Sequence, residues 1–124
     1  MVPVLLVALG GALGSVARYL VNVASSRVFG MGFPWGTLTV NVVGGFAMGL
    51  LAALLALKGG SQETRVFLMT GVLGGFTTFS AFSLDAVALW ERGAAGLAAG
   101  YVAASVALSI GALFGGLALG RALG

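Results

Sequence analysis

Residues 74–83, GGFTTFSAFS, put two glycines, two threonines, two serines and three phenylalanines inside one of the most apolar stretches of the chain. Each glycine weakens a helix by roughly 1 kcal/mol relative to alanine, and β-branched threonines beside them add to the effect. An interruption is therefore expected near Thr78, midway between Arg65 and Glu91. A break in apolar surroundings frees backbone carbonyls, which protein, a cavity or a cation must satisfy. Phe76, Phe79 and Phe82 recur every third residue through the same stretch. The edge of a phenyl ring carries partial positive charge, so a ridge turned edge-on to a pathway favours an anion. The same ridge turned outward packs against lipid or a neighbouring helix, and the residues alone leave both readings open.

Other polar groups sit where apolar sequence predominates. Thr37 and Asn41 stand four apart, hence on one helical face, and Asn41 offers two amide donors and one acceptor. Gly45 and Gly49 form a small-xxx-small step that lets another helix approach nearby. Asn41 can line a pathway or hold two helices together by a hydrogen bond. Tyr101, Ser105 and Ser109 recur at four-residue spacing and make a hydroxyl stripe about two turns long. A lone serine bonds back to its own helix; three hydroxyls on one stripe favour a lined pathway. Arg18 lies about ten residues from the end of its apolar block and needs acceptors or water. It serves as a snorkelling anchor or makes a cavity mouth attractive to anions. Asp85 is the one interior acid.

Four apolar blocks must position these groups. The chain of 124 residues is 60% hydrophobic and 7% charged, with six basic and three acidic side chains, too few to clothe a soluble domain. Its mean hydropathy is +1.13. The 22 glycines lie in apolar sequence, as in tightly packed membrane helices. Spans are expected at residues 2–28, 35–57, 65–90 and 94–122, each long enough for a hydrocarbon core of about 30 Å. Short connectors, with residues 58–63 the most polar, imply an up-down-up-down bundle in a single transmembrane domain covering residues 1–124. The first span lacks the basic leader of a cleaved signal peptide. Lys58, Arg65 and Arg121 fall on one side, Arg27 and Arg92 on the other, with Arg18 deeper. This near-even split assigns no orientation; it reflects weak bias or insertion both ways as an antiparallel dimer.

The absence of cysteine and histidine removes disulfides, thiol chemistry and the usual zinc, haem or iron–sulfur ligands. No nucleophile–base set or phosphate loop points to an enzyme, and no basic patch points to nucleic acid.

Three motifs in order, GGALGSVARY, GTLTVNVVGGFAMG and GVLGGFTTFSAFS, resemble the Fluc/CrcB family of bacterial fluoride channels across all four spans. The resemblance implies an all-α membrane protein of four transmembrane helices, the third broken near its centre, assembled as an antiparallel dual-topology homodimer. It further implies two fluoride pores that passively export fluoride across the bacterial inner membrane, protecting against its toxicity, and a structural sodium ion at the dimer centre. By position, Asn41 resembles the pore-lining asparagine, and Thr37 the hydroxyl one turn earlier. Phe79 and Phe82 match the two ring-edge phenylalanines, with Ser80 among the hydroxyls beside them. Gly74 and Thr77 match the sodium-coordinating carbonyls. Tyr101, Ser105 and Ser109 match the fourth-helix polar track, and Arg18 the vestibule arginine. Ala81 departs from the motif, which more commonly has threonine there.

Two rivals remain at this point. A four-helix multidrug or guanidinium exporter resembles a bundle with a carboxylate in the first span, where this chain has Arg18 instead. A non-transporting structural subunit would use its polar residues only for packing.

Overall fold

In the computed structural model, which describes residues 1–124, helix α1 (Val2–Phe29) starts behind Met1 with a proline in its first turn. The missing N–H costs nothing there. The helix ends at Gly30, whose φ of 78° suits glycine. Helix α2 (Trp35–Lys58) stops at Gly59, a left-handed glycine cap whose N–H donates to Leu55 O.

Helix α3 (residues 62–76) opens with the turn Gln62–Arg65, where Ser61 Oγ accepts from Thr64 N at 3.1 Å. That cap starts the helix three residues before the expected span. A π-helical stretch, Val66–Leu73, and a last α turn, Gly74–Phe76, complete it. Thr77 and Thr78 are extended, with φ/ψ of −87°/158° and −154°/120°. Helix α4 (Phe79–Glu91) then begins, with Thr78 Oγ1 accepting from Ala81 N at 3.1 Å. Helix α5 (Ala95–Leu123) follows Gly93, whose φ is 83°.

Four helical segments are long and apolar enough to cross a membrane, residues 62–91 counting as the third. Only 18 of 124 residues are buried, and the exposed set is rich in Leu, Val and Phe, which suits a lipid-facing surface.

Packing is by pairs, most extensively α2 with α5, then α1 with α3. Lipid tails are as apolar as leucine, so backbone approach and van der Waals contact must hold these pairs together. Small residues permit that approach. A Cβ on Gly49 would fall onto Leu113 O, and one on Gly116 onto Phe46 O. On the other seam, a Cβ on Gly14 would meet Val72 O. The small apolar core, Leu38, Phe82, Leu89, Ala98 and Tyr101, lies where α2, α4 and α5 meet.

Candidate functional site

The extended residues between α3 and α4 organise the site. The last turn of a helix leaves carbonyls, and the first turn of the next leaves N–H groups, without intrahelical partners. Asn41 on α2 answers this at Thr78: its Oδ1 accepts from Thr78 N at 2.8 Å, and its Nδ2 donates to Thr78 O at 3.1 Å. The side-chain amide thus pairs with an extended backbone residue as a strand neighbour would. One of its two N–H groups is left over. Gly44, almost one turn further along α2, lets the break sit close, because a Cβ there would strike Thr77 Cγ2. On the other side, Arg18 Nε donates to Gly75 O at 3.1 Å. Thr77 folds back, its N and Oγ1 each donating to Leu73 O at 3.0 Å.

Beside this break runs a groove of about 360 Å³. Asn41 lines it from α2, Thr77 and Thr78 from the extended residues, Phe79 and Phe82 from α4, and Ser105 and Ser109 from α5. The hydroxyl oxygens of Ser105 and Ser109 are buried, and neither has a hydrogen-bond partner. Such groups ordinarily find partners, so two orphans in one groove point to something the groove is built to hold. Phe79 and Phe82 rings stand 5.5 Å apart at 51°, Phe79 being 78% exposed and Phe82 9%.

A second cavity of about 340 Å³, the mouth cavity, opens under the α1–α2 connector. Asn22, Ser25, Thr37, Asp85 and Arg92 are among its lining residues. Arg92 Nη2 donates to Gly32 O at 2.7 Å, tying this connector to the one between α4 and α5. Thr37 and Asn41, one turn apart on α2, belong to the mouth cavity and the groove respectively. Tyr101 lines neither. It is fully buried, its ring 5.3 Å from Phe82 and 5.4 Å from Phe33, and its O–H donates to Asp85 Oδ2 at 3.2 Å.

A model described as CrcB-like protein, Camphor Resistance (CrcB), matches residues 5–117, which take in both cavities and reach into every helix. The chain belongs to the CrcB family. A protein of Agrobacterium fabrum named fluoride-specific ion channel FluC is 64% identical over 99 residues, 79% of each chain. One of the same name from Cereibacter sphaeroides is 68% identical over 92 residues, 74% of this chain and 73% of that one. A third, from Mesorhizobium japonicum, is 58% identical over 90 residues, 73% of each. The resemblance carried by the three motifs is therefore family membership. The names of these relatives are those of a channel, and this CrcB chain is a multi-pass membrane protein.

Within the CrcB chain, the groove brings together Asn41, Thr77, Phe79, Phe82, Ser105 and Ser109 from the sequence-derived set. Thr37 lies in the mouth cavity, and Tyr101 between the two. Ser80 lies outside both, exposed, with its Oγ 3.3 Å from Thr78 Oγ1. Arg18 and Gly74 flank the break rather than the groove. Three residues come forward that sequence reasoning had not assigned to the site: Thr78, Asp85 and Asn22. Thr78 bonds through its backbone, which no side-chain pattern signals. Asn22 carried a signal, standing four residues after Arg18 on one face of α1.

Proposed function

We propose that this CrcB-family protein is a fluoride channel that passively exports fluoride from the cytoplasm through the groove between α2, α4 and α5. The observation that carries the proposal is one groove lined by Asn41, Phe79, Phe82, Ser105 and Ser109, with the buried hydroxyls of the two serines lacking a hydrogen-bond partner. Fluoride is small and strongly hydrated, so a pore must replace its water with hydrogen-bond donors and positive edges. Those residues supply both. The relatives' name points the same way.

The working unit in this reading is an antiparallel dual-topology homodimer with two pores, in the bacterial inner membrane. Exposed Phe79 and the exposed hydroxyls of Ser80 and Ser83 lie near the middle of the third span. Ser83 and Ser80 are bonded within the chain, to Phe79 O and Thr78 Oγ1, and a second copy would cover the exposed face that carries them with Phe79. In the dimer the third span is one interrupted element whose break faces the partner. The carbonyls of Gly74 and Thr77 fit a structural sodium ion, being hard oxygen donors at a helix end. When bound there, the ion would supply a fixed positive charge that favours an anion nearby.

The deciding experiment is efflux from liposomes carrying the purified protein, read with a fluoride electrode and compared with chloride. Fluoride release well above chloride release is the expected result. Retained fluoride, with transport of cationic dyes, would replace the channel with an exporter; retained fluoride and no dye transport would leave a structural subunit.

A further inference from the structure

Between the mouth cavity and the groove lies an apolar neck. Asp85 and Thr37 line the first, Phe82 and Asn41 the second, and Leu38, Phe82 and Tyr101 pack together in the core between them. The Tyr101 ring is the middle member of this neck, in contact with Phe82 on one side and presented with the Phe33 ring edge-to-face, at 89°, on the other. Rotation about its ring bonds would change where Phe82 rests. Its O–H donates to Asp85 Oδ2 at 3.2 Å, with the Thr37 and Ser105 hydroxyls also beside it.

We infer that Asp85 is a positioning residue for conduction: through the Tyr101 hydroxyl it fixes the aromatic neck on which Phe82 is seated. The inference rests on the fluoride pathway proposed above. Asp85 stands one turn beyond Phe82 on α4, so a single helix face carries both the ring and the group that orients its neighbour. A bare carboxylate at the entrance of an anion path would be expected to repel the ion. Its placement is better explained by what it accepts than by its charge. That bond fixes the hydroxyl end of a ring whose contacts with Phe82 and Phe33 are apolar.

Two substitutions separate the acceptor from the charge. Asp85→Asn keeps an oxygen for the Tyr101 hydroxyl and removes the charge; Asp85→Leu, close in shape, removes both. Fluoride efflux of D85N is expected within about threefold of wild type, and that of D85L lower by about tenfold or more, from the cost of leaving the buried Tyr101 hydroxyl without this acceptor. Tyr101→Phe should match D85L, and the double variant D85L/Y101F should be no worse than Y101F, the mark of two residues acting as one unit. Equal efflux for D85N and D85L, or additive losses in the double variant, overturns the inference. Should D85L not assemble, Y101F decides alone: wild-type efflux overturns the inference and a tenfold loss upholds it. Absent fluoride efflux from the wild-type protein would instead remove the pathway itself, and the inference with it.

Discussion

Asn41 offers the sharpest test of how the groove is held. Its amide makes two half-buried hydrogen bonds to the Thr78 backbone, at 2.8 and 3.1 Å, and these are the polar contacts from α2 to the extended residues. Asn41→Leu, nearly the same shape, deletes both without opening a cavity. In water-soluble proteins an abandoned buried polar group costs about 1–3 kcal/mol. Side-chain bonds between membrane helices average about 0.6 kcal/mol and reach about 1.7, because the unfolded chain also finds partners. Two bonds lost together therefore destabilise the extended geometry by about 1–3 kcal/mol, which is about 5- to 150-fold in the population that keeps it. Fluoride efflux should fall by at least that lower factor, and further if the spare amide N–H also contacts the ion. Asn41→Ala leaves room for a water to reach Thr78 and should retain more flux than the leucine variant. Efflux is read by fluoride electrode, and assembly by size-exclusion chromatography in detergent, where both variants should elute with the wild-type protein. Efflux of Asn41→Leu within twofold of wild type would refute the claim that Thr78 needs this partner to keep the groove open.

Ser105→Ala with Ser109→Ala removes two hydroxyls that have no protein partner; thermal unfolding should be unchanged or shifted upward, since an unsatisfied buried hydroxyl carries a penalty of about 1–3 kcal/mol. Flux should nonetheless fall several-fold, and unchanged flux would leave the hydroxyls without a role in the pathway. Phe79→Ile keeps apolar bulk but loses the positive ring edge, so efflux should be abolished while crosslinking stays as in the wild-type protein. Gly49→Leu places a side chain on Leu113 O and should part α2 from α5, costing about 1–3 kcal/mol or more; it is expected to shift the elution profile to aggregates, and a well-folded variant would refute the close backbone contact. The chain contains no cysteine, so Gln62→Cys, exposed at the start of α3, can be labelled from either membrane face. Dual topology predicts comparable labelling from both, and labelling from one face alone would exclude it.

Hydropathy made the four membrane helices legible, because each span carries its own signal and needs no partner to declare it. The extended backbone falls at Thr77 and Thr78, beside the glycine pair and threonines that depress helix propensity locally. What supports those residues was not legible. Arg18 finds its acceptor 57 positions away, on a carbonyl every residue possesses. Tyr101 shows the limit of spacing arguments: it shares a stripe with Ser105 and Ser109, yet its long side chain ends on Asp85, outside the groove they line. Helical periodicity fixes the direction of Cβ and leaves the tip of a tyrosine to its neighbours. Ser80, between the two groove phenylalanines in sequence, is turned about 100° from Phe79 on α4 and remains exposed.

The division of labour among polar groups follows from the cost of the break. Extended backbone at membrane depth is stable only if its freed groups are satisfied. Here Asn41 supplies Thr78 from α2, and Arg18 supplies Gly75 from α1. Asn41 and Arg18, two residues that sequence alone suggested for the ion path, are thus committed largely to the chain itself. Asn41 keeps one N–H for anything passing, and Arg18 is tied to the α1 side of the break. The uncommitted donors lie opposite, on α5, where Ser105 and Ser109 hold buried hydroxyls with no protein acceptor or donor. Loss of Asn41 or Arg18 should therefore lower stability and flux together with assembly retained, whereas loss of the serines should lower flux without lowering stability. That asymmetry distinguishes a pathway with a rigid wall and a donating wall from one in which every polar residue plays the same part.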